Sequence, residues 1–141
     1  MKKFREVFTA PKSIIGVIHL KGDTDEDIKA RAKKEIGLYI DGGLDAVIFE
    51  DYFGSYPYLE WVLDYAKTQK LPVPYGVNCL NFDSLNFKLA RDYHCDFLQL
   101  DSVVGHVKPR DEASLDAFFA LEPWFWAVSG SSISRFCRPT A

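Results

Sequence analysis

No CxxC pair, no glycine-rich phosphate loop and no apolar stretch of membrane-spanning length occurs in this 141-residue sequence. The three cysteines, Cys79, Cys95 and Cys137, are odd in number and lack metal-ligand spacing. They support neither a disulfide framework nor a zinc knuckle, and buried free thiols are the expectation. The nine glycines are dispersed, so neither GxGxxG nor a P-loop passes through them. Lys2, Lys3 and Arg5 make a basic start, but Glu6 and the short apolar stretch after it form neither a signal peptide nor a spanning helix. A cytoplasmic chain without a transmembrane segment is expected. The net charge is −3, from 17 basic and 20 acidic residues. Nothing in that balance asks for nucleic acid, and no nucleic-acid partner is expected.

What the sequence has is a repeat. Four short apolar runs each end on a polar side chain and are each followed by a turn and a helix-like segment. The runs are Ile14 to Leu20 with His19 and Lys21, Ala46 to Phe49 with Glu50 and Asp51, Tyr75 to Val77 with Asn78, and Phe97 to Leu100 with Asp101. This is the pattern of a parallel α/β protein with its chemistry at the carboxyl ends of the strands. His19, Glu50, Asn78 and Asp101 lie 31, 28 and 23 positions apart, near the roughly 31 residues per unit of an eight-unit barrel of about 250 residues. The chain is long enough for one domain with a core and short of a complete barrel.

The nearly continuous apolar run at Ile14 to Leu20 predicts a strand covered on both faces. Asp23 or Thr24 can cap a helix in which Ile28, Ala32, Ile36 and Ile40 repeat at i+4, stopped by Gly42 and Gly43. Asp45 to Asp51 reads as the second strand, and Ser55 and Pro57 open a helix with Leu59, Val62, Leu63 and Ala66 on one face. Tyr75 to Leu80 is the third strand. Asp83 or Ser84 is the expected cap of the next helix, with Leu85, Leu89 and Tyr93 inward. A fourth strand begins at Phe97, and Pro109, Asp111 and Glu112 introduce a helix holding Leu115, Phe118 and Phe119. After Pro123 neither helical nor strand period is legible.

The segments IIGVIHLKG, DAVIFEDYFG, PYGVNCLNFDSL and DFLQLDSVVG, spanning residues 13 to about 121, resemble the BtpA/SgcQ family of barrel proteins, relatives of the ribulose-phosphate-binding barrels. His19, Glu50 and Asn78 fall on the family's histidine, glutamate and asparagine positions, whereas Asp51 and Asp101 stand where it commonly shows asparagine. The resemblance implies an α/β fold comprising about four βα units, the N-terminal half of a (βα)8 TIM barrel, over residues 1–124. It also implies that 125–141 is not family sequence. Codons can be chosen for Phe125 to Thr140 so that another frame spells LGGVRFKYQPVLSAD, which looks like the family's next strand. A frameshifted tail on a truncated product is therefore expected. Complete relatives would bind a small anionic or phosphorylated metabolite at the strand ends. The family also implies rival labels without motifs here: a non-enzymatic assembly factor of the photosystem I biogenesis type, peripheral to membranes, and a nucleoside triphosphatase.

Along a strand, side chains alternate between faces, so His19 shares a face with Lys21, Glu50 with Ala46 and Ile48, and Asn78 with Gly76. If these faces point inward, their polar ends converge. Glu50 is the first choice as acid or base, His19 can move a proton near neutral pH, and Asp101 can join Glu50 as a second carboxylate. These three are the catalytic candidates. Lys21 would hold an anion, Asn78 would orient a ligand without titrating, and Asp51 is the third binding candidate. The plainer reading of Glu50-Asp51 is that one carboxylate caps a turn and the other is solvated. His19 is nearly as well explained as a hydrogen-bonded lining residue, and Lys21 as a solvated one. No spacing specific to a metal is present, so no metal is assigned, and no cofactor is named. His94-Cys95 falls at a predicted helix end, where a capping histidine and a buried cysteine fit better than a nucleophile. His106 is a loop accessory, and Tyr52 with Phe53 forms a ligand wall or core. A complete small open sheet of flavodoxin type is a further possible architecture. A half barrel differs from it in leaving apolar sheet edges through which copies would associate as a homo-oligomer.

Overall fold

The computed structural model describes residues 4–52, 56–80, 82–100, 127–129 and 132–133. The elements run α1 (Phe4–Val7), β1 (Ile15–His19), α2 (Asp25–Asp41), β2 (Ala46–Glu50), α3 (Tyr56–Gln69), β3 (Tyr75–Asn78), α4 (Asp83–Asp92), β4 (Phe97–Gln99), β5 (Ala127–Ser129) and β6 (Ser132–Ile133). β1 to β5 lie side by side in chain order and pair parallel; β6 pairs antiparallel to β5. The expected α/β alternation is therefore present, with four parallel strands and intervening helices.

Each βα unit is finished in the same way. α2 begins at Thr24, whose Oγ1 accepts the Asp27 N–H at 3.2 Å, a cap of order 1 kcal/mol. It ends with the Gly43 N–H on the Ile40 carbonyl and the Leu44 N–H on that of Tyr39, Gly43 taking φ 75°. That pattern satisfies carbonyls the helix leaves over. Lys70 (φ 51°) and His94 (φ 56°) terminate α3 and α4 by the same pair of bonds, with Leu71 and Cys95 following. His94 is thus a helix stop, as its place at a helix end suggested. A second device recurs one residue later. Asp45 Oδ2 accepts the Ile14 N–H at 2.7 Å, and Asp96 Oδ2 accepts that of Tyr75 at 3.3 Å, fixing the start of one strand against its neighbour.

Alternation sorts the strand side chains into two layers. Ile18, Leu20, Val47, Phe49, Val77, Leu98 and Leu100 face α2, α3 and α4 and form the main core with Ile28, Ala32, Ile36, Leu59, Leu63 and Leu89. Burying each of these side chains other than Ala32 contributes about 1.5–3 kcal/mol. Ala46, Ile48 and Phe97 face the other way and pack with Val7 and Phe8, with Ile15 beside them. The long helices all lie on one face of the sheet, and the segment after α1 covers the lower part of the opposite face.

Three expectations are corrected. β1 is not covered on both faces, because Val17 is 40% exposed on the side away from the helices. α4 starts from Phe82, with no side-chain cap, rather than from Asp83 or Ser84; the Phe82 carbonyl already accepts the Leu85 and Asn86 N–H groups, so Asp83 is inside the helix. The chain after Pro123 contains β5 and β6, segments too short to show a period; β5 pairs with β4 and β6 with β5. The helix expected from Pro109, the Ser55 opening of α3, Phe53, Asp101, His106 and Cys137 lie outside the described residues.

Candidate functional site

Parallel register sets the site. His19 is paired with Glu50, and Glu50 with Asn78, so the last residues of β1, β2 and β3 form one row across the sheet. All three side chains project from the face opposite the long helices, the same face as Ala46 and Ile48. With its proton on Nε2, His19 donates to Glu50 Oε2 at 2.8 Å, and Asn78 Nδ2 donates to Glu50 Oε1 at 3.0 Å. Each carboxylate oxygen thus receives one donor. Asn78 is buried, the Glu50 side chain is 13% exposed, and that of His19 is 44% exposed. The row therefore grades from a fixed amide through a shielded carboxylate to an imidazole in contact with solvent. The Tyr52 ring, itself largely exposed, lies 5.5 Å from the His19 ring.

This arrangement can fix a polar ligand and pass a proton between carboxylate and imidazole, the chemistry of a positioned acid–base pair. Below the row, Ile48, Phe97 and Phe8 make an apolar floor in which the Phe8 and Phe97 rings meet edge-on at 5.1 Å. Phe97 lies across β3 at Gly76, where a Cβ would run into the ring. Glycine is needed there because the space of a side chain is already taken.

The remaining expected site residues go elsewhere. Asp51 turns to the loop after β3, where Oδ1 accepts the Leu80 N–H at 2.8 Å and Oδ2 sits 3.5 Å from the Cys79 thiol. The carboxylate ties the end of β2 to that loop. Lys21 lies beyond the end of β1 and borders a groove along α2 with Asp27, Arg31 and Lys34. Asp101 is outside the described residues. Among those described, no group of three or more His, Cys, Asp or Glu side chains converges to hold a metal.

Two residues escaped the sequence reading. Extending the pairing of Val77 with Leu98 by one step sets Gln99 opposite Asn78, in line with the polar row. Alternation from Phe97 would have found it, had the strand end not been placed at Asp101. Asn86, wholly buried in α4, spans the residue after Asn78: its Oδ1 accepts the Cys79 N–H at 2.5 Å and its Nδ2 donates to the Cys79 carbonyl at 3.2 Å. No local pattern distinguishes that asparagine from a solvent-facing one.

Burial, reinforced by the Asp51 charge and hydrogen bond, pushes the Cys79 thiol from an ordinary 9.0 up to about 12. Tyr75, whose hydroxyl donates to the Tyr93 carbonyl, is pushed from 10.0 up to about 12, first by burial. Above pH ~9 the unfolded thiol loses its proton while the folded one keeps it, so the folded state binds more protons and stability falls as pH rises. The urea midpoint is expected to hold level up to about pH 9 and to decline above it, less steeply in Cys79→Ser. A midpoint unchanged to about pH 11 would contradict this.

No family model and no solved structure matches the chain. The chain is similar to an uncharacterized protein of Pyrococcus horikoshii, PH1209, with 29% identity over an alignment of 114 positions that covers 67% of this chain and 43% of the relative. An uncharacterized protein of Pyrococcus abyssi, PYRAB10620, matches with the same identity and coverage. The chain thus spans less than half the length of the curated relatives it matches.

Proposed function

We propose that this chain is the N-terminal half of a BtpA/SgcQ-like (βα)8 barrel and that its strand-end row binds a small anionic or phosphorylated metabolite. Glu50 serves as the acid–base group, His19 as its solvent-side partner, and Asn78 as the residue that orients the carboxylate. The observation that carries this reading is the pair of hydrogen bonds on Glu50 from the ends of both neighbouring strands. A carboxylate that only capped a turn would have no reason to be clasped from two sides at the carboxyl ends of three parallel strands. The placement of α2, α3 and α4 on one face also supports a barrel segment over a doubly wound sheet, which carries helices on both faces. The greater length of the archaeal relatives leaves room for the remaining units.

Thermal shift with inorganic phosphate and a panel of sugar phosphates tests the proposal. At a ligand concentration about 100 times Kd, a specific ligand adds about 2.7 kcal/mol of stability. At least one phosphorylated compound is expected to raise the melting temperature of the wild type, and Glu50→Gln is expected to lose that response while keeping its own melting temperature within a few degrees. A wild type indifferent to every compound would sink the metabolite reading in favour of an assembly factor. An equal response from Glu50→Gln would remove Glu50 from the site.

A further inference from the structure

We infer that the strand-end row receives the hydroxyl-bearing end of its ligand, a vicinal diol laid across the two oxygens of Glu50, and that the ligand's phosphate lies off the row. The inference rests on the metabolite reading above and fixes which end of the metabolite meets these residues. Glu50 Oε2 accepts the His19 N–H at 2.8 Å, and Oε1 accepts the Asn78 N–H at 3.0 Å. A carboxylate oxygen can accept two bonds, so each keeps one acceptor position beyond these. Both donors come from the flanking strands, along the row, and the Glu50 side chain is still 13% exposed. The positions that are left are thus offered to a ligand and not to a neighbouring strand.

Whatever meets those positions must donate. A phosphate against Glu50 would set two anions together in a shielded place, which like-charge repulsion and desolvation both oppose. A hydroxyl donates to the carboxylate and accepts from the next group. The rest of the row suits that dual character: Asn78 and, in line with it, Gln99 are carboxamides, and His19 is an imidazole. Each of these groups has both donors and acceptors when the imidazole is neutral. An ammonium or guanidinium brings donors alone and would meet the amide N–H groups with nothing to accept from them. Two neighbouring hydroxyls also match the paired oxygens of a carboxylate, as the paired N–H groups of arginine do.

The surroundings of the row agree. Tyr52 follows Glu50 by two positions; it is 60% exposed, and its ring lies 5.5 Å from that of His19. An aromatic ring takes the apolar carbon face of a sugar while the hydroxyls at the sugar's edge turn to polar groups. Below the row, Ile48, Phe97 and Phe8 form a buried apolar floor that a charged group cannot enter without a large desolvation cost. With the floor closed to it and Glu50 repelling it, the phosphate is directed outward, beyond the strand ends.

Titration calorimetry of the full chain with matched phosphate esters is the test. Ribose phosphate is set against deoxyribose phosphate, glycerol phosphate against propyl phosphate, and phosphoethanolamine represents a cationic ligand; inorganic phosphate is the reference. The diol member of at least one pair is expected to bind roughly tenfold or more tightly than its counterpart. Glu50→Gln is expected to erase that preference while leaving the affinity for propyl phosphate and inorganic phosphate level or raised, since it removes a negative charge at constant shape. Tyr52→Ala, at an exposed position, is expected to weaken the diol compounds with an unchanged circular dichroism spectrum. Equal binding within both pairs, or a preference for phosphoethanolamine, overturns the inference and leaves the metabolite reading standing. A diol preference that survives both substitutions overturns it as well. A chain that binds none of the esters overturns the inference and the metabolite reading together.

Discussion

Asn86→Ala is expected to lower the unfolding free energy by about 2–5 kcal/mol, because it strands two buried backbone groups at roughly 1–3 kcal/mol each and leaves a small cavity. Asn86 is fully buried in α4, and both halves of its amide are spent on the N–H and carbonyl of Cys79. Cys79 belongs to the main buried core together with Phe87, Leu89 and Ala90 of α4. A domain of this size has a stability of about 5–15 kcal/mol, so the loss approaches half of it. Asn86→Asp separates the two bonds, since a carboxylate can accept from the Cys79 N–H but cannot donate to the carbonyl, and its buried charge adds a further cost. Urea denaturation followed by circular dichroism measures both variants. A loss below about 1 kcal/mol for Asn86→Ala would show that the loop after β3 is held by other contacts, with Asp51 the first to suspect. The consequence reaches the site, because the clamp fixes the residue after Asn78 and hence the amide that Asn78 sets on Glu50.

Gly76→Ala is expected to cost about 1–3 kcal/mol through overpacking against the Phe97 ring. The ring is buried among Phe8, Ala46 and Ile48, so it has little room to retreat. The cost should depend on that ring, which a double-mutant cycle can read. In a Phe97→Leu background, Gly76→Ala is expected to lose at least half of its penalty, giving a coupling on the order of 1 kcal/mol between the two sites. Additive effects would mean that the strain lies in the β3 backbone rather than in contact with Phe97. Displacement of Phe97 would also disturb the floor beneath His19, Glu50 and Asn78. Gly76→Ala should then reduce any ligand response found for the wild type, even where the variant remains folded.

The repeat of the chain was legible because it is local. The i+4 spacing of Ile28, Ala32 and Ile36, the Leu59 to Ala66 face and the glycine stop after α2 all follow from the helical period and from backbone conformations that nearby residues dictate. The apolar runs ending on His19, Glu50 and Asn78 likewise announced strands with polar ends. Less legible were features with no period of their own. β5 and β6 are too brief to show alternation, and they are strands through pairing alone, β5 with β4 and β6 with β5. Asp51 resembles Glu50 in sequence but, as its neighbour on the chain, points elsewhere, and it serves the loop after β3.

The sequence by itself determined that His19, Glu50 and Asn78 stand at strand ends and that helices separate them, since side-chain alternation and helix period are properties of consecutive residues. Only the tertiary structure decided that Glu50 is clasped by His19 and Asn78, 31 and 28 positions away, because strand register is set by pairing across the sheet. Tertiary packing alone also buried Asn86 beneath the loop after β3 and put Phe97 over Gly76. Each is a choice of neighbour between segments distant in the chain, made by the fit of one surface to another.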